Sequence, residues 1–177
     1  MKLVTAFLRL IRWPNLVFIV VTQFLFCYCI MFPFNRVGGV FFFDNRSLFF
    51  LILSSVLIAA AGYIINDYFD LNIDRVNKPE KLVVEKIIKR RWAIVWHILL
   101  SAIGVLLGVY IDLKERTLWV GFANFLCVLF LFGYSASLKK KFLVGNVLIS
   151  LLTAWVIIVV FLCYYFNRYY HQFGDYQ

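Results

Sequence analysis

Five apolar runs dominate the chain, at residues 16–34, 47–66, 92–111, 117–137 and 142–166. Each is close to the roughly 20 residues that a helix needs to cross a bilayer. Polar connectors at 35–46, 67–91, 112–116 and 138–141 and a tail at 167–177 separate them. No soluble domain, low-complexity segment or short repeat fits between the runs. The pattern predicts an all-α, polytopic transmembrane helix bundle, with residues 1–177 forming a single transmembrane domain. Lys2, Arg9 and Arg12 precede the first run much as in a signal peptide. That run is too long for a signal core and shows no small-residue cleavage site, so it reads as a retained span.

Composition agrees. The chain is 64% hydrophobic, 20% aromatic and 15% charged, with mean hydropathy +0.88. A soluble domain averages about 45–50% apolar and about 25% charged residues. The net charge of +9 would suggest nucleic acid in a soluble protein, but here the basic residues lie in the connectors between apolar runs. Topology control, membrane lipids and anionic substrates account for it better, and no nucleic-acid partner is expected. Thirteen of the 18 basic residues fall in the N-terminus and the 67–91 and 138–141 connectors; five fall on the other side. The positive-inside rule then places the N-terminus and both of those connectors in the cytoplasm of a multi-pass cell-membrane protein.

One stretch carries the candidate chemistry. Residues 63–91 read YIINDYFDLNIDRVNKPEKLVVEKIIKRR, with Asn66, Asp67, Asp70 and Asp74 at the mouth of the second run. Carboxylates there are expensive to keep and point to function. On a helix advancing about 100° per residue, the three aspartates fall within roughly 60° of one another. Such a stripe repels itself until a cation relieves it. Mg²⁺ characteristically takes one or two carboxylates together with phosphate oxygens and water, so the pattern suits a metal-bridged diphosphate better than a calcium cage. Arg75, Lys78, Lys81, Lys86, Lys89, Arg90 and Arg91 follow with the opposite charge. Pro79 disfavours helix at Lys78 and is expected to end the helix and turn the connector over the membrane surface. Lys86 to Arg91 read first as topology signals.

A second polar stretch, GYSASLKKKFLVGN at 133–146, is predicted to share the aspartate face. It offers Tyr134 and Lys139 as candidate phosphate contacts, and Asn146 as a helix–helix or substrate hydrogen bond. Arg12 and Asn15 flank Pro14 as anchors or site lining. Cys27, Cys29, Cys127 and Cys163 all lie in apolar runs without zinc spacing and read as apolar filler. His97 reads as a packed polar residue, and neither a Ser-His-Asp arrangement nor a P-loop can be assembled.

At these residues the chain resembles the UbiA superfamily of intramembrane prenyltransferases. Asn66, Asp67, Asp70 and Asp74 meet its N-D-x-x-D-x-x-x-D motif in full. The extension DRVNKPEK is similar to the usual continuation, and Tyr134, Lys139, Gly145 and Asn146 resemble the family's later Y-x-x-x-x-K and G-N segment; Arg12 to Asn15 is a weaker match. The resemblance implies a bundle of nine helices, of which about five spans are present here. It also implies transfer of a polyprenyl group from its diphosphate to an acceptor. Asn66, Asp67, Asp70 and Asp74 would hold Mg²⁺ and diphosphate, the aspartates serving as catalytic groups. Asn66, Arg75, Lys78, Lys81, Tyr134, Lys139 and Asn146 would bind the diphosphate. An aromatic-lined cavity would shelter the allylic carbocation. The motif details lean toward geranylgeranylglycerol-phosphate geranylgeranyltransferase-like members, with a quinone precursor or haem equally open as acceptor.

The chain departs from that pattern in lacking the second, D-x-x-x-D motif and about four helices. It is therefore expected to be the truncated N-terminal part of such an enzyme, inactive alone. The alternative is a non-catalytic membrane subunit that binds a lipid diphosphate or assists assembly. A transporter would place polar groups at mid-bilayer in repeated halves, and a CDP-alcohol phosphotransferase would carry a D-G-x-x-A-R signature; neither pattern is found.

Overall fold

The computed structural model describes residues 2–33, 44–77 and 83–173, with side chains from residue 3 to 166. Within these it is a bundle of six α-helices: α1 (Lys2–Leu10), α2 (Trp13–Leu25), α3 (Asn45–Asn77), α4 (Arg90–Glu115), α5 (Val120–Ala136) and α6 (Val144–Phe173). No strand occurs among the described residues; a single isolated bridge joins Val84 and Ile88. Helix α2 continues through a wide π turn at Phe26–Met31. Together they give four helices apolar and long enough to cross a membrane, Trp13–Met31, Asn45–Asn77, Arg90–Glu115 and Val144–Phe166, with α5 a shorter apolar fifth.

Two elements go beyond the apolar runs. The basic N-terminus forms its own helix, α1, turned from α2 by a left-handed Arg12 (φ 52°) ahead of Pro14 in the first turn of α2. Proline is tolerated there because its missing N–H would have had no helical partner. Helix α3 does not stop at the end of the apolar run. Its 33 residues extend for about 50 Å against a hydrocarbon core of about 30 Å. The aspartate stripe therefore rides on a rigid helical extension that runs to Asn77, in line with its helical spacing and the helix end expected near Lys78. Helix α6 likewise continues past 166 to Phe173. Lys78, Pro79 and Lys81 lie outside the described residues.

Helix α3 is central and packs against all five other helices, most extensively along α4. Small residues permit the closest approach between α4 and α5: a Cβ on Gly108 would sit 3.0 Å from the Gly121 Cα. Two apolar cores result. One gathers Leu10, Ala60, Ile64, Leu71, Val84 and Ile88 with the first half of α4. The buried Val84 and Ile88 pin the 83–89 turn back against this end of the bundle. The other core joins Cys27, Leu51, Ile111, Val120, Val159 and Cys163 at the opposite end. There Lys114 pairs with Asp44 and holds its carboxyl below the usual carboxylate range, helped by the Arg46 backbone N–H.

Candidate functional site

The aspartate stripe is held from two sides. From the α1–α2 corner, Arg12 donates to the Asp67 carboxylate at 2.9 Å while its guanidinium lies 5.1 Å from the centre of the Tyr63 ring. The left-handed turn at Arg12 aims this side chain across to α3. Asn15, one turn on, donates to the Tyr63 hydroxyl at 3.3 Å. From the α5–α6 corner, the Lys139 ammonium reaches Asp70 Oδ1 at 2.6 Å and Asn66 Oδ1 at 3.2 Å, while Asn66 Nδ2 donates to Asp70 Oδ2 at 3.0 Å. Asp74 is half-buried one turn further out.

Gly145 makes the Lys139 position possible. A Cβ there would lie 2.9 Å from the Lys139 Cα and 3.0 Å from the Leu138 carbonyl oxygen, closer than packed atoms tolerate. Gly145→Ala is accordingly expected to push the 138–140 turn off α6 and weaken binding of an anionic ligand at Lys139 roughly tenfold. Equal affinity in the variant would show that this contact does not position the lysine.

Below the stripe opens a cavity of about 500 Å³ between α2, α3, α5 and α6. Arg12, Asn15, Tyr63, Asn66 and Tyr134 form its polar mouth, and residues such as Phe18, Ile58, Leu131 and Leu152 its apolar walls. A polar mouth flanked by the Arg12–Asp67 and Lys139–Asp70 pairs, above an apolar well, suits an amphiphile with a polyanionic head.

No three of the described acidic, histidine or cysteine side chains come together as a metal-holding group. Arg12 and Lys139 each engage a carboxylate instead. The donor chemistry nevertheless fits Mg²⁺: every candidate ligand is a hard oxygen. The Lys139 ammonium already marks a point where a cation meets oxygens from two successive turns of α3.

The UbiA prenyltransferase family model matches residues 25–168. The chain belongs to the UbiA prenyltransferase family. Among similar proteins, the digeranylgeranylglyceryl phosphate synthase of Sulfolobus acidocaldarius is 42% identical over 108 residues, 60% of this chain and 38% of the relative. The synthase of the same name from Methanothermobacter thermautotrophicus is 38% identical over 112 residues, 62% of this chain and 38% of the relative. The chain thus matches well under half the length of these relatives. A solved structure, described as giving structural and mechanistic insights into the biosynthesis of digeranylgeranylglyceryl phosphate synthase in membranes, matches with TM-score 0.74 and 25% identity, over 92% of this chain and 54% of that one.

In this UbiA chain the residues singled out from sequence separate into two groups. Asn66, Asp70 and Lys139 meet directly, Asp67 pairs with Arg12 beside them, and Tyr134 stands in the cavity wall. Arg75 turns instead to Glu85, whose left-handed backbone (φ 72°) sits in the 83–89 turn, and Asn146 is exposed on α6 outside the cavity lining. Arg90 lies over the Tyr68 ring at 4.5 Å. His97 is buried and donates from Nδ1 to the Ala61 carbonyl at 3.0 Å, the packed polar role expected of it. Arg12 is the contact that sequence undervalued. A lone arginine before an apolar run looks like an anchor until the α1–α2 corner is seen.

Proposed function

We propose that this chain binds a polyprenyl diphosphate at the membrane surface and forms the part of a UbiA prenyltransferase that ionises it. The carrying observation is the cavity itself, with the Asn66–Asp70–Lys139 group at its mouth and apolar walls behind. The relatives' name points to a geranylgeranyl donor and a glyceryl phosphate lipid as acceptor.

In this reading the diphosphate lies across the aspartate stripe, and the prenyl chain descends into the cavity. Asn66, Asp67, Asp70 and Asp74 hold Mg²⁺, which supplies positive charge to the departing diphosphate. Lys139 and Arg12 exchange their carboxylate partners for diphosphate oxygens, with Arg75, Lys78 and Lys81 as further anion contacts. The allylic C–O bond breaks with its electron pair leaving on pyrophosphate. Tyr63 and Tyr134 line the cavity, where their ring faces would stabilise the resulting cation. An acceptor hydroxyl oxygen then bonds to the prenyl C1 and gives up its proton to the released pyrophosphate. The distribution of basic residues supports a cytoplasmic N-terminus and mouth.

The test is a titration of the detergent-solubilised chain with geranylgeranyl diphosphate, in Mg²⁺ and after chelation. Saturable binding in Mg²⁺ that chelation abolishes is expected. Binding indifferent to Mg²⁺, or none at all, would overturn the reading.

A further inference from the structure

The cavity ends at one level on all four helices around it. Its deepest lining residues are Thr22 on α2, Ser55 on α3, Asn124 on α5 and Val156–Ile157 on α6. Two amide side chains stand at that level, each tied to an adjacent serine of α3. Gln23, fully buried, donates from Nε2 to Ser55 Oγ at 3.0 Å and to the Val156 carbonyl at 2.8 Å, and Ser55 in turn donates to the Leu51 carbonyl. Asn124 donates from Nδ2 to Ser54 Oγ at 2.8 Å, while Ser54 donates to the Gly104 carbonyl at 2.7 Å. These bonds bridge α2, α3 and α6 on one side and α3, α4 and α5 on the other. Beneath them lies the packed core of Leu51, Val120, Val159 and Cys163.

Polar groups buried at mid-bilayer are costly, and this cluster is not fully satisfied: Gln23 Oε1 has no partner in the structure. Simple helix association needs no such arrangement at the bottom of an apolar well. We infer that the Gln23–Ser55 and Asn124–Ser54 bridges form a floor that sets the length of prenyl chain the cavity accepts. Hydrocarbon filling the well stops where amides and hydroxyls replace apolar walls and solid packing begins.

The dimensions specify the chain. Asp70 stands fifteen residues beyond Ser55 on the continuous helix α3, about 22 Å of rise. An isoprene unit adds four chain bonds of about 1.5 Å in zigzag, so four units reach about 20 Å. A diphosphate at the Asp70 level therefore brings a geranylgeranyl terminus to the floor. A farnesyl chain leaves the bottom empty, and a solanesyl chain overruns it. This inference rests on the reading of the cavity as a prenyl chamber and makes Gln23 and Ser55 specificity-determining residues within it.

The test measures equilibrium binding of geranyl, farnesyl, geranylgeranyl and solanesyl diphosphates, with Mg²⁺, to the detergent-solubilised chain and its variants. Wild type is expected to bind more tightly up to geranylgeranyl and about tenfold more weakly for solanesyl. Gln23→Ala breaks the α2–α3–α6 bridge while the Asn124–Ser54 bridge and the packed core remain, and it is expected to shrink that drop. Ser55→Phe raises the floor and moves the optimum to farnesyl or shorter. Thr153→Phe fills the well from α6 without touching either amide bridge and moves the optimum the same way, so the idea stays testable if one variant fails to fold. The same length profile in wild type and every folded variant overturns the floor while leaving the chamber intact. Wild-type failure to bind any of the four overturns the chamber and the floor together.

Discussion

Asp70→Asn is expected to weaken Mg²⁺-dependent binding of geranylgeranyl diphosphate about a hundredfold or more, and Asp67→Asn/Asp70→Asn to remove it. Lys139→Ala should behave differently. The Lys139 and Asp70 side chains are 15% and 22% exposed, so their pairing is screened far less than that of a surface pair. The ammonium bonds Asn66 Oδ1 and Asp70 Oδ1, so it would compete with a metal ion for both oxygens. Deleting it frees both oxygens, and Mg²⁺ alone should bind more tightly. The diphosphate loses a charge-assisted partner and should bind about a hundredfold more weakly. Opposite movements of metal and ligand affinity are the signature of a residue that exchanges partners. If both variants bind metal and diphosphate as wild type does, the stripe is not the site. If Lys139→Ala loses both together with its cooperative unfolding, the lysine is only a brace.

The bundle and the stripe were legible in the sequence because each rests on local pattern. Apolar runs near 20 residues declare helices, and Asn66, Asp67, Asp70 and Asp74 fall on one face by spacing alone. What escaped depends on tertiary approach. Helix α1 has nine residues, too few to read as a span, and owes its place to Leu10 burying against α3. The extension of α3 to Asn77, by contrast, was expected from the helical spacing of the aspartates and from Pro79, although hydropathy alone ends the span near Asn66. It holds because Arg12, Lys139 and the returning 83–89 turn supply partners from elsewhere in the chain. Gln23 and Asn124 are single amides within apolar runs, indistinguishable in sequence from ordinary interhelical hydrogen bonds. Only the cavity ending beside them gives them another meaning. Arg75 shows another limit of sequence, since it pairs with Glu85 in the structure and would have to exchange that partner to serve as an anion contact.

Asp112→Ala is expected to cost the fold about 3 kcal/mol or more, the largest loss of stability from any single side chain outside the site. Asp112 is buried near the end of α4 and accepts four hydrogen bonds across the corner into α5. Oδ1 takes the Thr117 hydroxyl at 2.5 Å and the backbone N–H groups of Trp119 and Val120 at 3.0 and 2.9 Å; Oδ2 takes that of Gly121 at 2.7 Å. One carboxylate thus caps the first turn of α5, where unpaired N–H groups and the helix dipole favour negative charge. It also holds a corner whose Arg116 and Leu118 both adopt left-handed backbone, at φ 53° and 62°. Without it the N–H groups of Trp119, Val120 and Gly121 lose the acceptor they share. Asp112→Asn keeps the shape but not the chemistry: its amide can accept through one atom only, and its NH₂ must then face an N–H donor. Both variants should unfold at lower denaturant or temperature than wild type in mixed micelles, alanine more so than asparagine. In the folded fraction the Mg²⁺ dependence of diphosphate binding should be unchanged, because the corner lies at the end of the bundle opposite the aspartate stripe. Asparagine unfolding with the wild-type midpoint would show that neither the charge of Asp112 nor its second acceptor oxygen holds the corner.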